Sequence, residues 1–315
     1  MKQISGTAVS MTAVIACLLC TACPSGPPGT IEDSLSAAGM KRTFLVHLPA
    51  DVDAEARLPL VIALHSFTGT GRSMEATTGF SALADSEGFI VAYPDGRQRV
   101  WNANPGAPSS ISGPPADDVA FIAALIDRCV DEYGADPRRV YVTGASNGGL
   151  MTHRVACELT DRLAAAASVM ITHPAGWQDH EQPTAPVPFL IIHGVDDPFF
   201  PWDGGTVNEG PFHMTDYLSV EETVAFWVNN NHAVSPPVET TLPDLDPNDG
   251  TTVFRWAYAA GDTGAEVTLY GVNGGGHTWP GNSDTPAQFV FGKTSHDIDA
   301  TRVIWDFLKP HAHAQ

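Results

Sequence analysis

The stretch Val140-Tyr-Val-Thr-Gly-Ala-Ser-Asn-Gly-Gly149 constrains this chain more than any other. The β-branched residues Val140, Val142 and Thr143 read as a buried strand, and residues 150–158 read as a helix. Between them lies Gly144-x-Ser146-x-Gly148. That spacing marks a sharp strand-to-helix turn, the nucleophile elbow, which holds a serine in a strained conformation above a sheet. Small residues are needed on both sides because strand and helix run very close together there. Such a turn needs a sheet with helices packed on it, which is an α/β layering. It makes Ser146 a candidate nucleophile.

The rest of the chain alternates in the same way. Residues 41–48, 58–64, 89–93, 164–171, 187–192, 252–256 and 266–270 read as strands. Several are continuous apolar runs, as expected of strands buried on both faces. Residues 73–87, 117–133, 220–230 and 301–308 read as helices. Strands alternating with helices imply a doubly wound, mostly parallel sheet. With 315 residues, 43% of them hydrophobic, one domain over residues 41–310 can bury a large core. Residues 199–215 and 233–248 are rich in Pro, Gly and Asp and read as loops, and residues 311–315 read as a tail.

The first 23 residues read as a targeting signal: Lys2, then a largely apolar run over residues 8–19, then small residues up to Cys23. The apolar run is too short to span a bilayer. Residues 24–40 read as a flexible tether, which suits a lipid anchor on Cys23 and membrane attachment through it; the chain is expected to be exported. Cys129 and Cys157 are the remaining cysteines. An even count in an oxidising compartment, on helices flanking the nucleophile strand, predicts a disulfide between them.

A nucleophilic serine needs a base and a group that orients the base. On an elbow architecture the chain order is serine, acid, histidine. His277, in Gly274-Gly-Gly-His-Thr-Trp-Pro-Gly281 directly after a late strand, is the candidate base. His47, His153 and His193 lie in or beside regular elements, where packing or capping roles are expected. The acid belongs at the end of the strand 187–192, where Asp196 and Asp197 both qualify. Asp197 precedes a proline, which favours an extended conformation and makes it the candidate. The oxyanion hole should pair the Asn147 N–H with one from His65-Ser-Phe-Thr-Gly69, supplied by Phe67 or Thr68, with Phe67 the residue assigned. The aromatics Phe199, Phe200 and Trp202 follow the acid and could pack against a ring or an apolar acyl group, or anchor their own loop.

Together these segments resemble the secreted polyhydroxybutyrate depolymerase and feruloyl esterase-like family of the α/β-hydrolase fold. The matching pieces are Leu64-His65, Tyr93-Pro-Asp-Gly96, Trp101-Asn102, Asp117-Asp118-Val119-Ala-Phe121, the elbow, His193-Gly-Val-Asp-Asp-Pro198 and Gly275-Gly-His-Thr-Trp-Pro-Gly281. The resemblance implies Ser146 as nucleophile, Asp197 as orienting acid and His277 as base, with Trp101 and Trp279 touching the substrate. It departs at Ser66, where the family usually has glycine. What it implies is hydrolysis of carboxylic esters, feruloyl or acetyl esters of a polysaccharide such as xylan, through an acyl-enzyme. A polyester depolymerase, a peptidase of the same fold and a non-catalytic surface protein are the other readings. No cofactor or metal is implied, since the histidines lack zinc-like clustering. The net charge of −20 disfavours nucleic acid and polyanions.

Overall fold

The computed structural model describes residues 29–50, 56–104, 115–208, 214–262, 264–282 and 287–313. The segment read as a targeting signal, with Lys2 and Cys23, lies outside the described residues. The chain opens with the hairpin β1 (Thr30–Ala37) and β2 (Met40–His47). β3 (Leu58–Leu64), α1 (Gly71–Thr78), α2 (Phe80–Glu87), β4 (Ile90–Pro94) and α3 (Asp118–Glu132) follow. Then come β5 (Ala135–Ala145), α4 (Asn147–Glu158), β6 (Ala165–Val169) and β7 (Phe189–Gly194). A small hairpin, β8 (Gly205–Asn208) and β9 (Met214–Tyr217), precedes α5 (Val220–Asn230). The chain ends with β10 (Val238–Thr241), β11 (Thr252–Tyr258), β12 (Val267–Asn273), the short turn α6 (Gln288–Phe291) and α7 (Ala300–Leu308).

Ten strands form one sheet in the order β1-β2-β4-β3-β5-β6-β7-β12-β11-β10. β4, β3, β5, β6, β7 and β12 are parallel, and antiparallel strands finish both edges. Alternate residues of each central strand serve two separate cores. Leu60, Ile62, Val142, Phe189 and Ile191 face one, packed with residues of α3, α4 and α5. Val61, Ala63, Tyr141, Leu190 and Ile192 face the other, packed with residues of α1, α2 and α7. Large stacked aromatics fill both sides: Phe189 on Trp227, and Phe89 on Trp305, each with ring centroids 4.0 Å apart. This is the doubly wound α/β arrangement expected, with the carboxyl ends of the parallel strands on one edge.

Four local expectations change. Residues 30–37 are a strand, not tether, because Ala38 (φ 47°) and Gly39 (φ 75°) make a two-residue hairpin turn that pairs them with β2. The helix read over 73–87 is two helices, broken by left-handed Gly79. The loops at 199–215 and 233–248 contain the β8–β9 hairpin and the edge strand β10. Residues 311–313 dock on β5: Tyr141 Oη donates to the His311 carbonyl at 2.7 Å, and His313 N–H to the Arg138 carbonyl at 2.7 Å.

The structure holds no bridge between Cys129 and Cys157. Cys129 and Cys157 are both buried free thiols. Cys129 packs on the core-facing stripe of α3, and Cys157 on that of α4. Each fills space as a small hydrophobe. Burial pushes both thiols up, Cys129 to about 12.

Candidate active site

Three consecutive close approaches build the elbow between β5 and α4. A Cβ on Gly144 would strike the Gly148 carbonyl, one on Gly148 the Leu64 carbonyl, and one on Gly149 the Ile171 side chain. Ser146, at the apex, takes φ 54° and ψ −119°, a region that costs a non-glycine residue about 1–3 kcal/mol. The conformation is held from below, where Ser146 N–H donates to the Val169 carbonyl of β6 at 2.9 Å. Among the described residues the Ser146 hydroxyl has no hydrogen-bond partner. A nucleophile and base that meet only once substrate is bound commonly look so.

The acid and histidine loops leave adjacent strands, β7 and β12, and are zipped together. Val195 N–H donates to the Val272 carbonyl at 2.8 Å, and Asp196 N–H to the Gly275 carbonyl at 2.9 Å. Gly194 permits this, since a Cβ there would strike the Gly275 and Gly276 carbonyls. On this frame Asp197 Oδ2 accepts from His277 Nδ1 at 2.8 Å. Asp197 Oδ1 accepts from the N–H groups of Phe199 (2.8 Å) and Phe200 (2.9 Å). Burial alone would raise the Asp197 pKa. The hydrogen bond and charge of His277, His193 and the Phe200 N–H outweigh it and hold the carboxyl below its usual range. Asp196 is exposed. His277 is further braced by residues no sequence motif announced: its N–H donates to the Phe291 carbonyl at 2.6 Å, and Gly276 N–H to the Lys293 carbonyl at 2.9 Å.

On the far side of the elbow, the loop after β3 offers backbone donors. Thr68 N–H is spent on the Arg99 carbonyl at 2.9 Å. Among the described residues the N–H groups of Phe67 and Asn147 have no partner, so both are free for an oxyanion. Thr68 takes the left-handed turn of this loop at φ 62° and Ser66 does not, so the loop does not require a glycine at position 66. His65 locks the loop: its Nδ1–H donates to the Ser66 carbonyl at 2.8 Å, and its Nε2 accepts from Gly96 N–H at 2.9 Å. The Tyr93-Pro-Asp-Gly96 and Asp117-Asp118 motifs are scaffolding of this kind. Asp95 caps Gly71 and Thr43, and Asp118 accepts the Asn102 N–H at 2.8 Å.

Trp101 and Trp279 do not line the site. Trp101 is 2% exposed. Its indole N–H donates to the His65 carbonyl at 2.9 Å and its backbone N–H to Asn147 Oδ1 at 2.8 Å. It is a brace between elbow and oxyanion loop. Trp279 is 3% exposed, packs edge-on against Phe80 and donates to Thr301 Oγ1 at 3.0 Å. Trp202 anchors its own loop against Phe254 and Trp256. Of the aromatics after the acid, Phe199 and Phe200 stay beside His277, with ring centroids 5.1 Å and 5.6 Å from the imidazole.

Two further histidines lie buried behind the elbow. His153 Nδ1 accepts from Trp227 Nε1 at 2.8 Å and from His173 Nε2 at 2.9 Å. Among the described residues His153 Nε2 and His173 Nδ1 have no partner. Burial pushes both imidazoles down, His173 to about 3. The unfolded chain, titrating near the ordinary ~6.5, therefore takes up protons that the folded chain refuses. Their contribution to stability is intact above pH ~6.5 and is lost as pH falls toward the folded value, for His173 at about 1.4 kcal/mol per pH unit. Urea unfolding should show stability falling by about 2 kcal/mol from His173 between pH ~7.5 and ~5, with His153 acting in the same direction. An unchanged midpoint over that interval would show that the pair is not held neutral.

The strand order, two-sided helix packing and elbow define an α/β-hydrolase. The solved acetyl xylan esterase from Aspergillus awamori shares the fold, at TM-score 0.55 and 21% identity over 79% of this chain and 94% of that one. Residues 36–198 match the family described as "Putative esterase". "Putative esterase NocK" of Nocardia uniformis subsp. tsuyamanensis is 33% identical over 90% of this chain and 84% of its own length. "Feruloyl esterase B" of Piromyces equi is 27% identical over 75% of this chain, a stretch that spans only 42% of that relative. The chain belongs to this esterase family and is a carboxylic ester hydrolase.

Proposed function

We propose that the protein is an exported serine esterase that cleaves feruloyl or acetyl esters of a plant polysaccharide such as xylan, through an acyl-enzyme. The carrying observation is the 2.8 Å contact between His277 Nδ1 and a buried, ionised Asp197, set on the strand edge that also bears the strained Ser146. With Nδ1–H committed to Asp197, His277 Nε2 is left with a lone pair. In this reading Ser146 Oγ attacks the ester carbonyl as His277 Nε2 takes its proton. The tetrahedral oxyanion sits on the N–H groups of Asn147 and Phe67. Collapse breaks the C–O bond, and His277 hands its proton to the departing alcohol. Water, activated by the same imidazole, then releases the acid and restores Ser146.

Three features support the ester class. Asp197 is kept ionised, as an orienting acid must be. The oxyanion donors are backbone groups held by His65 and Trp101, so no reorganisation is needed at the moment of reaction. The acidic chain suits a neutral substrate. The feruloyl choice draws on the relative named for it and on the motifs quoted above, and export on the segment up to Cys23. Release of ferulate, acetate and hydroxybutyrate should be measured side by side from feruloylated xylan, acetylated xylan and amorphous polyhydroxybutyrate. Ferulate or acetate release is expected to be fastest. Faster hydroxybutyrate release would promote the depolymerase reading instead.

A further inference from the structure

The side chains around His277 carry more than the base. Phe199 is 38% exposed, although its backbone is pinned by Asp197 Oδ1 at 2.8 Å. Its ring lies 5.1 Å from the imidazole and 5.6 Å from the half-buried ring of Phe291. Phe291 is fixed in turn, because its carbonyl accepts the His277 N–H. The same turn carries Phe289, 90% exposed. A pinned backbone holding rings in water beside the base is a prepared apolar surface, since exposed aromatic patches mark binding surfaces more often than packing.

We propose that Phe199 and Phe291 form the platform on which the alcohol half of the ester, a neutral sugar ring, stacks before it leaves. The inference rests on the esterase reading and deepens it. The base must come within about 3 Å of the leaving oxygen to protonate it. A sugar ring bonded to that oxygen spans several ångström beyond it, enough to extend over Phe199, whose ring centroid lies 5.1 Å from the imidazole. The acyl half lies on the other side, toward the free N–H groups of Asn147 and Phe67. A pyranose or furanose ring has an apolar C–H face that covers an aromatic ring and a hydroxyl rim that stays hydrated, which fits a partly exposed aromatic wall. The net charge of −20 favours a neutral sugar over a uronate.

The test compares two esters with one acyl group and different alcohols: a feruloylated arabinoxylo-oligosaccharide and methyl ferulate. For Phe199→Ala and Phe291→Ala the ratio of kcat/KM, oligosaccharide ester to methyl ester, should fall about three- to tenfold, with the loss in KM of the sugar ester. A second readout needs no hydrolysis. The unesterified oligosaccharide should bind the wild-type protein, followed by titration calorimetry, and bind both variants more weakly. An unchanged kcat/KM ratio, with both esters falling together, would show that the rings merely position His277 and would overturn the proposal. So would oligosaccharide binding that is absent or equal in all three proteins. If no ester is cleaved but oligosaccharide binding is lost in the variants, the platform stands and the esterase reading of the site fails.

Discussion

Replacing Ser146 with alanine should abolish ester hydrolysis, by roughly a factor of 10⁶ in kcat, while the fold stays intact. The serine hydroxyl is the one nucleophile the elbow presents. Its loss leaves only the oxyanion donors and binding to accelerate attack by water. The same position stores backbone strain, so stability separates the two obvious variants. Alanine keeps a Cβ at φ 54° and ψ −119° and should keep the strain. Ser146→Gly should relieve about 1–3 kcal/mol of it, less the ~0.5–1 kcal/mol that glycine costs in chain entropy. The glycine variant should therefore unfold at higher urea than the alanine variant, and both should be inactive. Hydrolysis with an aryl acetate and urea unfolding by circular dichroism check both arms. More than a few per cent of wild-type activity in either variant would mean that Ser146 is not the nucleophile.

What the sequence reveals of this molecule depends on range. The elbow is legible because its requirements are local: a β-branched strand, glycines where backbones touch, and a helix. The parallel strands are legible because burial on both faces makes them continuous apolar runs. Asp197 and His277 are legible once chain order is assumed, since each ends a readable strand. What fails is set by neighbours distant in sequence. Residues 30–37 are too polar to announce a strand, and a two-residue turn with β2 decides their state. Gly79 breaks a helix whose apolar pattern runs on. The Cys129–Cys157 pairing rested on an even count and on helices flanking one strand, and neither says how the side chains pack; both are buried as free thiols. Trp101 and Trp279 lie beside site motifs in the chain but point their indole N–H groups at the His65 carbonyl and at Thr301. Phe291, which braces His277, lies fourteen residues further on, and no local pattern marks it.

Exchanging one atom of the acid tests the remaining assignment. Asp197→Asn should cost roughly 10⁴ in kcat, and Asp196→Asn less than about threefold. Asp197 takes an N–H from His277 Nδ1 on Oδ2 and two backbone N–H groups on Oδ1. An asparagine oxygen can still cap Phe199 and Phe200, so the turn should survive. Its amide then turns an N–H toward His277, Nδ1 must accept, and the proton moves to Nε2. The base is thereby blocked on the face that must take the serine proton. No carboxylate remains to stabilise the imidazolium that forms. Asp196 is exposed, and among the described residues it engages the histidine loop through its backbone N–H, which asparagine preserves. Its replacement should also leave stability within ~0.5 kcal/mol, as is usual at surface positions. Steady-state kinetics on one ester separate the two aspartates. Equal losses, or a larger loss at Asp196, would remove Asp197 from the site and leave its contact with His277 as a structural latch between two loops.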